Sequence, residues 1–62
     1  MDKLKAIRLS RGLSQWAVAK LVGKSQATVQ VWEAGYREPS AEDMEALAHA
    51  LGVELMDLAD TA

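Results

Sequence analysis

The stretch QWAVAKLVGKSQATVQVW, residues 15–32, decides the fold. Ala19 is small enough to let two helices cross closely, and Gly23 can take the positive φ that a sharp turn demands. Ser25 opens the segment after the glycine, in the place of a residue whose side-chain oxygen caps a helix. Val29 and Trp32, three apart, form the inward face of that second helix. Ser14, just ahead of the stretch, caps the first, with Leu13 and Val18 placed as a hydrophobic staple. The expectation is two short helices joined by a tight turn, with Val18, Ala19 and Val22 inward on the first.

Outward from there the punctuation is equally clear. Asp2 is placed to cap a helix running to about Arg11, with Leu4, Ile7 and Leu9 on its apolar side and Gly12 as its stop. Gly35 ends the helix opened at Ser25, and Gly35-Tyr36-Arg37-Glu38-Pro39 forms the longest irregular piece. Ser40 caps a fourth helix, with Asp43 where a capping box would place its acid. Met44, Leu47, Ala48 and Leu51 give that helix an i, i+3, i+4, i+7 stripe, and Gly52 closes it. A short last helix, about Glu54 to Asp60, offers Leu55 and Leu58. No run has the period of a strand. The fold class is all-α: a compact bundle of five short helices forming one domain over residues 1–62.

At 62 residues the chain is a small domain. Folding at this size buries only roughly 60% of the unfolded surface, so most apolar residues must serve the core. With no cysteine and one histidine, neither a disulfide nor a thiolate or multi-histidine metal site is expected. No apolar run approaches the length of a membrane span, and Met-Asp-Lys-Leu-Lys at the start lacks a signal-peptide core. These features point to a cytoplasmic protein without cofactor, metal, small-molecule ligand or membrane partner.

The net charge is −2, but its distribution is lopsided. Residues 1–37 hold all seven cations and two anions, a net +5, whereas residues 38–62 hold seven anions and no cation, a net −7. A basic first half and an acidic second half suit a dipolar domain with one face toward phosphates.

Two helices spaced as in residues 15–32 are what a helix-turn-helix requires, its second helix lying in a DNA major groove. Across nearly the whole chain the sequence resembles the lambdoid phage repressor and Cro (XRE-family) helix-turn-helix domains. The resemblance is carried in order by Ile7-Arg8, Gly12-Leu13-Ser14-Gln15, Ala19, Gly23, Ser25, Trp32-Glu33-Ala34-Gly35 and Pro39-Ser40. It closes with Leu47-Ala48, Leu51-Gly52-Val53 and Leu58. It implies a lambda repressor-like fold and a sequence-specific regulator of transcription, a repressor in the expected mode, that reads operator half-sites with its third helix.

By that resemblance Gln26, Ala27, Gln30 and Val31 face the base edges. Gln26 is the candidate for direct readout, because a carboxamide pairs bidentately with adenine N6 and N7. Ala27 offers apolar contact to a thymine methyl, and Val31 either a second such contact or a tolerated exposed valine. Gln15 is expected to reach a backbone phosphate and buttress Gln26. Ser25, Thr28, Tyr36 and Arg37 are candidate backbone contacts, with Thr28 alternatively bonding within its own helix. Arg8 and Glu33 match the family's ion pair, and Arg8 could lend a spare donor to a phosphate. The final helix region implies a homodimer on operator DNA through Met56, Leu55 and Leu58, since two half-sites discriminate better than one.

Trp16 and Leu21 stand where the family mostly carries polar residues, and Lys24 where a turn residue is commonly apolar. Exposed tryptophan suggests contact with a sugar-phosphate strand, a partner or a second subunit. The rival reading is therefore a protein-interaction module on the same fold, antitoxin-like or adaptor, with DNA binding secondary. An enzyme fails on inventory: Ser14, Ser25 and Ser40 are caps, His49 lacks companions, and Glu42, Asp43 and Glu45 form a solvated face.

Overall fold

A computed structural model describes residues 1–59. Five helices follow in order among the described residues: α1 Asp2–Ser10, α2 Gln15–Val22, α3 Gln26–Ala34, α4 Ala41–Leu51 and α5 Leu55–Leu58. None is long and apolar enough to cross a membrane. α2 packs on α3 and α4, α4 on α5, and α1 on α3 and α5, so α3 is held from behind by two helices while its other side faces out.

The core is one cluster to which every helix contributes: Leu4, Val18, Ala19, Val29, Trp32, Leu47, Ala48, Leu51 and Leu58. Met1, Ile7, Leu13, Val22, Met44 and Val53 pack around it half-buried. The caps are those the serines announce. Ser14 Oγ accepts from Ala17 N–H at 3.0 Å, Ser25 Oγ from Thr28 N–H at 3.2 Å, and Ser40 Oγ from Asp43 N–H at 3.1 Å. Each satisfies a first-turn donor that would otherwise lack an intrahelical acceptor.

Gly23 ends α2 at φ +70°, a left-handed conformation that a Cβ would strain, although nothing lies within 4 Å to collide with one. Its geometry lets Lys24 N–H reach back to Ala19 O at 2.9 Å and Gly23 N–H to Lys20 O at 3.4 Å, the paired closure of a Schellman turn. The same pairing closes α1, α3 and α4. Such turns favour an apolar residue just past the glycine, packed back on its helix. Leu13 and Val53 fill that role against the core. Lys24 and Tyr36, on either side of α3, are exposed instead.

Several expectations are corrected. Asp2 does not cap α1: Met1 stands at the cap position, without a side-chain bond, and Asp2 is the first helical residue. There its charge still complements the positive end of the helix. Leu9 is 57% exposed, because α1 packs chiefly on α3 and α5 and the stripe Leu4, Ile7, Arg8 takes up its inner face. α1 stops at Ser10, not Arg11. Asp43 leaves the capping box half-made, its carboxylate turned to Lys24 Nζ at 3.4 Å. The reciprocal box lies one helix later, between Glu54 and Asp57. α5 ends at Leu58; the expected continuation to Asp60 lies outside the described residues.

Candidate nucleic-acid interface

α3 presents its first turn outward. Gln26, Ala27 and Gln30 are exposed, and Val31 is half-buried. The first turns of α2 and α3, opened at Ser14 and Ser25, each have more backbone N–H groups than the capping serine satisfies, and such helix N-termini suit anionic oxygens.

Beneath Gln26 runs a chain of side-chain hydrogen bonds from the interior to the surface. Arg8 Nε donates to Glu33 Oε2 at 2.7 Å and Nη2 to Oε1 at 3.0 Å, a bidentate pair. Gln15 Nε2 donates to the same Oε1 at 3.1 Å. Gln26 Nε2 then donates to Gln15 Oε1 at 2.7 Å. An ionised carboxylate only accepts, so Glu33 fixes which end of the Gln15 amide turns inward. That choice in turn fixes the Gln26 amide. One Nε2 hydrogen and Oε1 of Gln26 remain for a ligand, the donor and acceptor set that adenine N7 and N6–H require.

The Arg8 and Glu33 side chains are 9% and 4% exposed, and the pair is fully hydrogen-bonded, with no buried side-chain N or O lacking a partner among the described residues. Burial pushes the Glu33 carboxyl up, but hydrogen bonds from Arg8 and Gln15, with the charges of Arg8 and Lys5, outweigh it and hold the group below its ordinary range. A carboxyl depressed in the folded state stabilises the fold fully above its ordinary value near 4.5. That support drains away as pH falls through the depressed value, where the unfolded chain already binds the proton. Melting temperature should therefore drop below about pH 4.5, and less steeply in Glu33→Gln. An acid limb identical in the two proteins would remove Glu33 as its cause.

The sequence candidates fall into two groups. Gln15, Gln26, Arg8 and Glu33 come together in the chain of bonds. Thr28, Val31, Ala27 and Arg37 line a groove of about 450 Å³ between α3, the α2–α3 turn and the start of α4, with Lys24, Trp32, Glu38 and Asp43. Ser25 Oγ and Thr28 Oγ1 are 2.9 Å apart, so Thr28 has the local partner foreseen as its alternative. Tyr36 is 84% exposed, and Arg37 is exposed beside it.

Two assignments change. Arg8 spends Nη1 on Leu13 O at 2.8 Å as well as Nε and Nη2 on Glu33. Buried, with three of its five N–H donors spent inside the protein, it serves as a structural pivot. Leu58 is 0% exposed and belongs to the core, so it offers nothing to a dimer surface, whereas Met56 is 75% and Leu55 45% exposed. The four-residue α5 turns one leucine in and leaves its neighbours out.

Sequence reasoning missed Arg11, whose Nε donates to Leu51 O at 3.0 Å and satisfies a C-terminal carbonyl of α4. It also missed that Glu33 serves Gln15 as well as Arg8. No local signal announces either link, since 40 and 18 residues separate the partners. On α2, Trp16 and Leu21 are 61% and 58% exposed. Lys20 Nζ stands 4.6 Å from the Trp16 ring centroid, one turn away on the same helix.

Comparison with known proteins agrees with this geometry. A structure of the P22 c2 repressor protein in complex with synthetic operator 9T, in the presence of Tl⁺, matches with a TM-score of 0.90 and 30% identity over 95% of this chain and 89% of that one. The restriction-modification controller protein C.AhdI from Aeromonas hydrophila matches with a TM-score of 0.89 and 34% identity over 94% and 88%. No curated protein matches the chain. A family model described as helix-turn-helix matches residues 4–58. With two capped helices packed on each other across the Gly23 turn and the outward first turn of α3, the chain belongs to the helix-turn-helix family.

Proposed function

We propose that the protein is a sequence-specific regulator of transcription, a repressor in mode, that reads an operator half-site in the major groove with the first turns of α3. The observation that carries this is the buttressed Gln26 amide. A surface glutamine held in one orientation by a buried ion pair through Gln15 has lost rotamer freedom before any ligand arrives, which favours specific readout. Ala27 and Val31 supply apolar contact to thymine methyls, and Gln30 a further polar one. Gln15, Ser25, Thr28, Tyr36 and Arg37 serve the phosphate strands. Its longest dimension is 28 Å, less than the ~34 Å between successive half-sites on one face of the duplex. One copy thus covers one half-site, and a homodimer through Met56 and Leu55 covers two.

Selection of bound duplexes from a random library tests this directly. A palindromic consensus, bound with affinity that falls steeply as salt rises, is expected. On the selected site Gln26→Ala should weaken binding by about 1–3 kcal/mol and relax the preference at one position. Arg37→Ala should weaken selected and scrambled duplexes alike. Equal losses on both duplexes for Gln26→Ala would show that it reads no base.

The exposed Trp16 and Leu21 favour a second reading, an interaction module for another protein. Its signature is binding to a protein partner that is nearly indifferent to salt and is lost in Trp16→Ala.

A further inference from the structure

We propose that Asp43 is a built-in phosphate mimic: it holds Lys24 of the α2–α3 turn off the DNA backbone and so limits how tightly the domain grips any duplex. The inference rests on the DNA-binding reading above and adds to it an intramolecular competitor.

Lys24 occupies the position after the turn glycine where an apolar side chain usually packs back on the helix, as Leu13 and Val53 do in this chain. Its ammonium instead crosses to Asp43 Oδ1 at 3.4 Å. The backbone of each residue is tied down: Lys24 N–H donates to Ala19 O at 2.9 Å and Asp43 N–H to Ser40 Oγ at 3.1 Å. With side chains 40% and 21% exposed, the pair contributes little to stability, yet it sits in the groove whose lining includes Thr28 and Arg37.

A carboxylate and a phosphate present the same thing to an ammonium, an anionic oxygen. When a duplex docks on α3, its backbone competes with Asp43 for Lys24. Binding exchanges one ion pair for another, and Asp43 is left beside a negative strand. Both effects weaken the complex without regard to sequence, because a phosphate carries none.

The test measures affinity for the selected duplex and for a scrambled one across a salt series, with the whole chain. Asp43→Asn should bind both duplexes about 2–5-fold tighter and steepen the log–log salt slope by about 0.9, the increment of one added phosphate contact. In a Lys24→Met background Asp43→Asn should bring a clearly smaller gain, that of relieving Asp43's own charge beside the strand, and should leave the slope unchanged. Asp43→Ser repeats the measurement with a residue at ease in the first turn of a helix, and a thermal melt confirms that each variant folds. An unchanged slope and affinity overturn the proposal. So does a gain that persists undiminished without Lys24, since Asp43 then acts through its own charge alone. If the unaltered protein binds neither duplex at low salt, the DNA-binding reading fails first and takes this inference with it.

Discussion

Trp32→Ala is expected to cost about 3–5 kcal/mol of stability, the transfer and cavity terms of a buried aromatic removed together. Trp32 is 4% exposed and belongs to the core cluster. A domain of 62 residues has about 3–9 kcal/mol in all, so the variant should be largely unfolded at room temperature or melt far below the parent. Because the buried side chains of α3 are Val29, Trp32 and Glu33, loss of the indole also loosens the helix that carries Gln26. Circular dichroism in urea checks the energy. A midpoint close to the parent's would mean that α3 is held by something other than its tryptophan.

Arg8→Ala is expected to cost a similar amount, about 3–5 kcal/mol, for a different reason. Removing one partner strands the other charge in a place from which water is excluded. Glu33 would keep only Gln15 as a donor where Arg8 now supplies two. The double variant Arg8→Met, Glu33→Leu separates the roles of the pair. Replacing both charges with apolar groups of similar size is often neutral or stabilising, so the melt should recover. Gln15 would then have lost the acceptor that orients it, and with it Gln26. The expected protein is folded and binds duplexes but discriminates among them less. If it discriminates as well as the parent, the chain of bonds from Glu33 to Gln26 does not serve recognition. If it fails to refold, the pair contributes more to this fold than its apolar substitutes can.

Much of the fold is legible in the chain because its signals are local. Ser14, Ser25 and Ser40 each satisfy a donor three residues on, and Gly12, Gly23, Gly35 and Gly52 each end a helix. These are choices that neighbouring residues settle among themselves. The inward stripes on α2, α3 and α4 were readable for the same reason. Where reading failed, a competing partner lay far off in sequence. Asp43 has the spacing of a capping box, and only the approach of the α2–α3 turn gives its carboxylate Lys24 instead. Leu9 has the look of an inward leucine, but the packing of α1 leaves it no neighbour to face. Among the dimer-surface candidates Met56 already stood ahead, since some of the final helix must be core, but only the packing of α5 on α4 and α1 shows that Leu58 is the residue turned in.

The sequence by itself determined the helices, most of their ends and the apolar stripes that turn inward on α2, α3 and α4, since each is set by residues a few positions apart. Only the tertiary structure decided which groups act on one another across the molecule. Arg8 became a buried pivot, Glu33 a shared acceptor that orients Gln15 and through it Gln26, and Asp43 a counter-ion to Lys24 in the groove beside α3. The physical reason is that an ionic or amide group is defined by what lies within about 3 Å of it. Those neighbours come from separate helices brought together by the core.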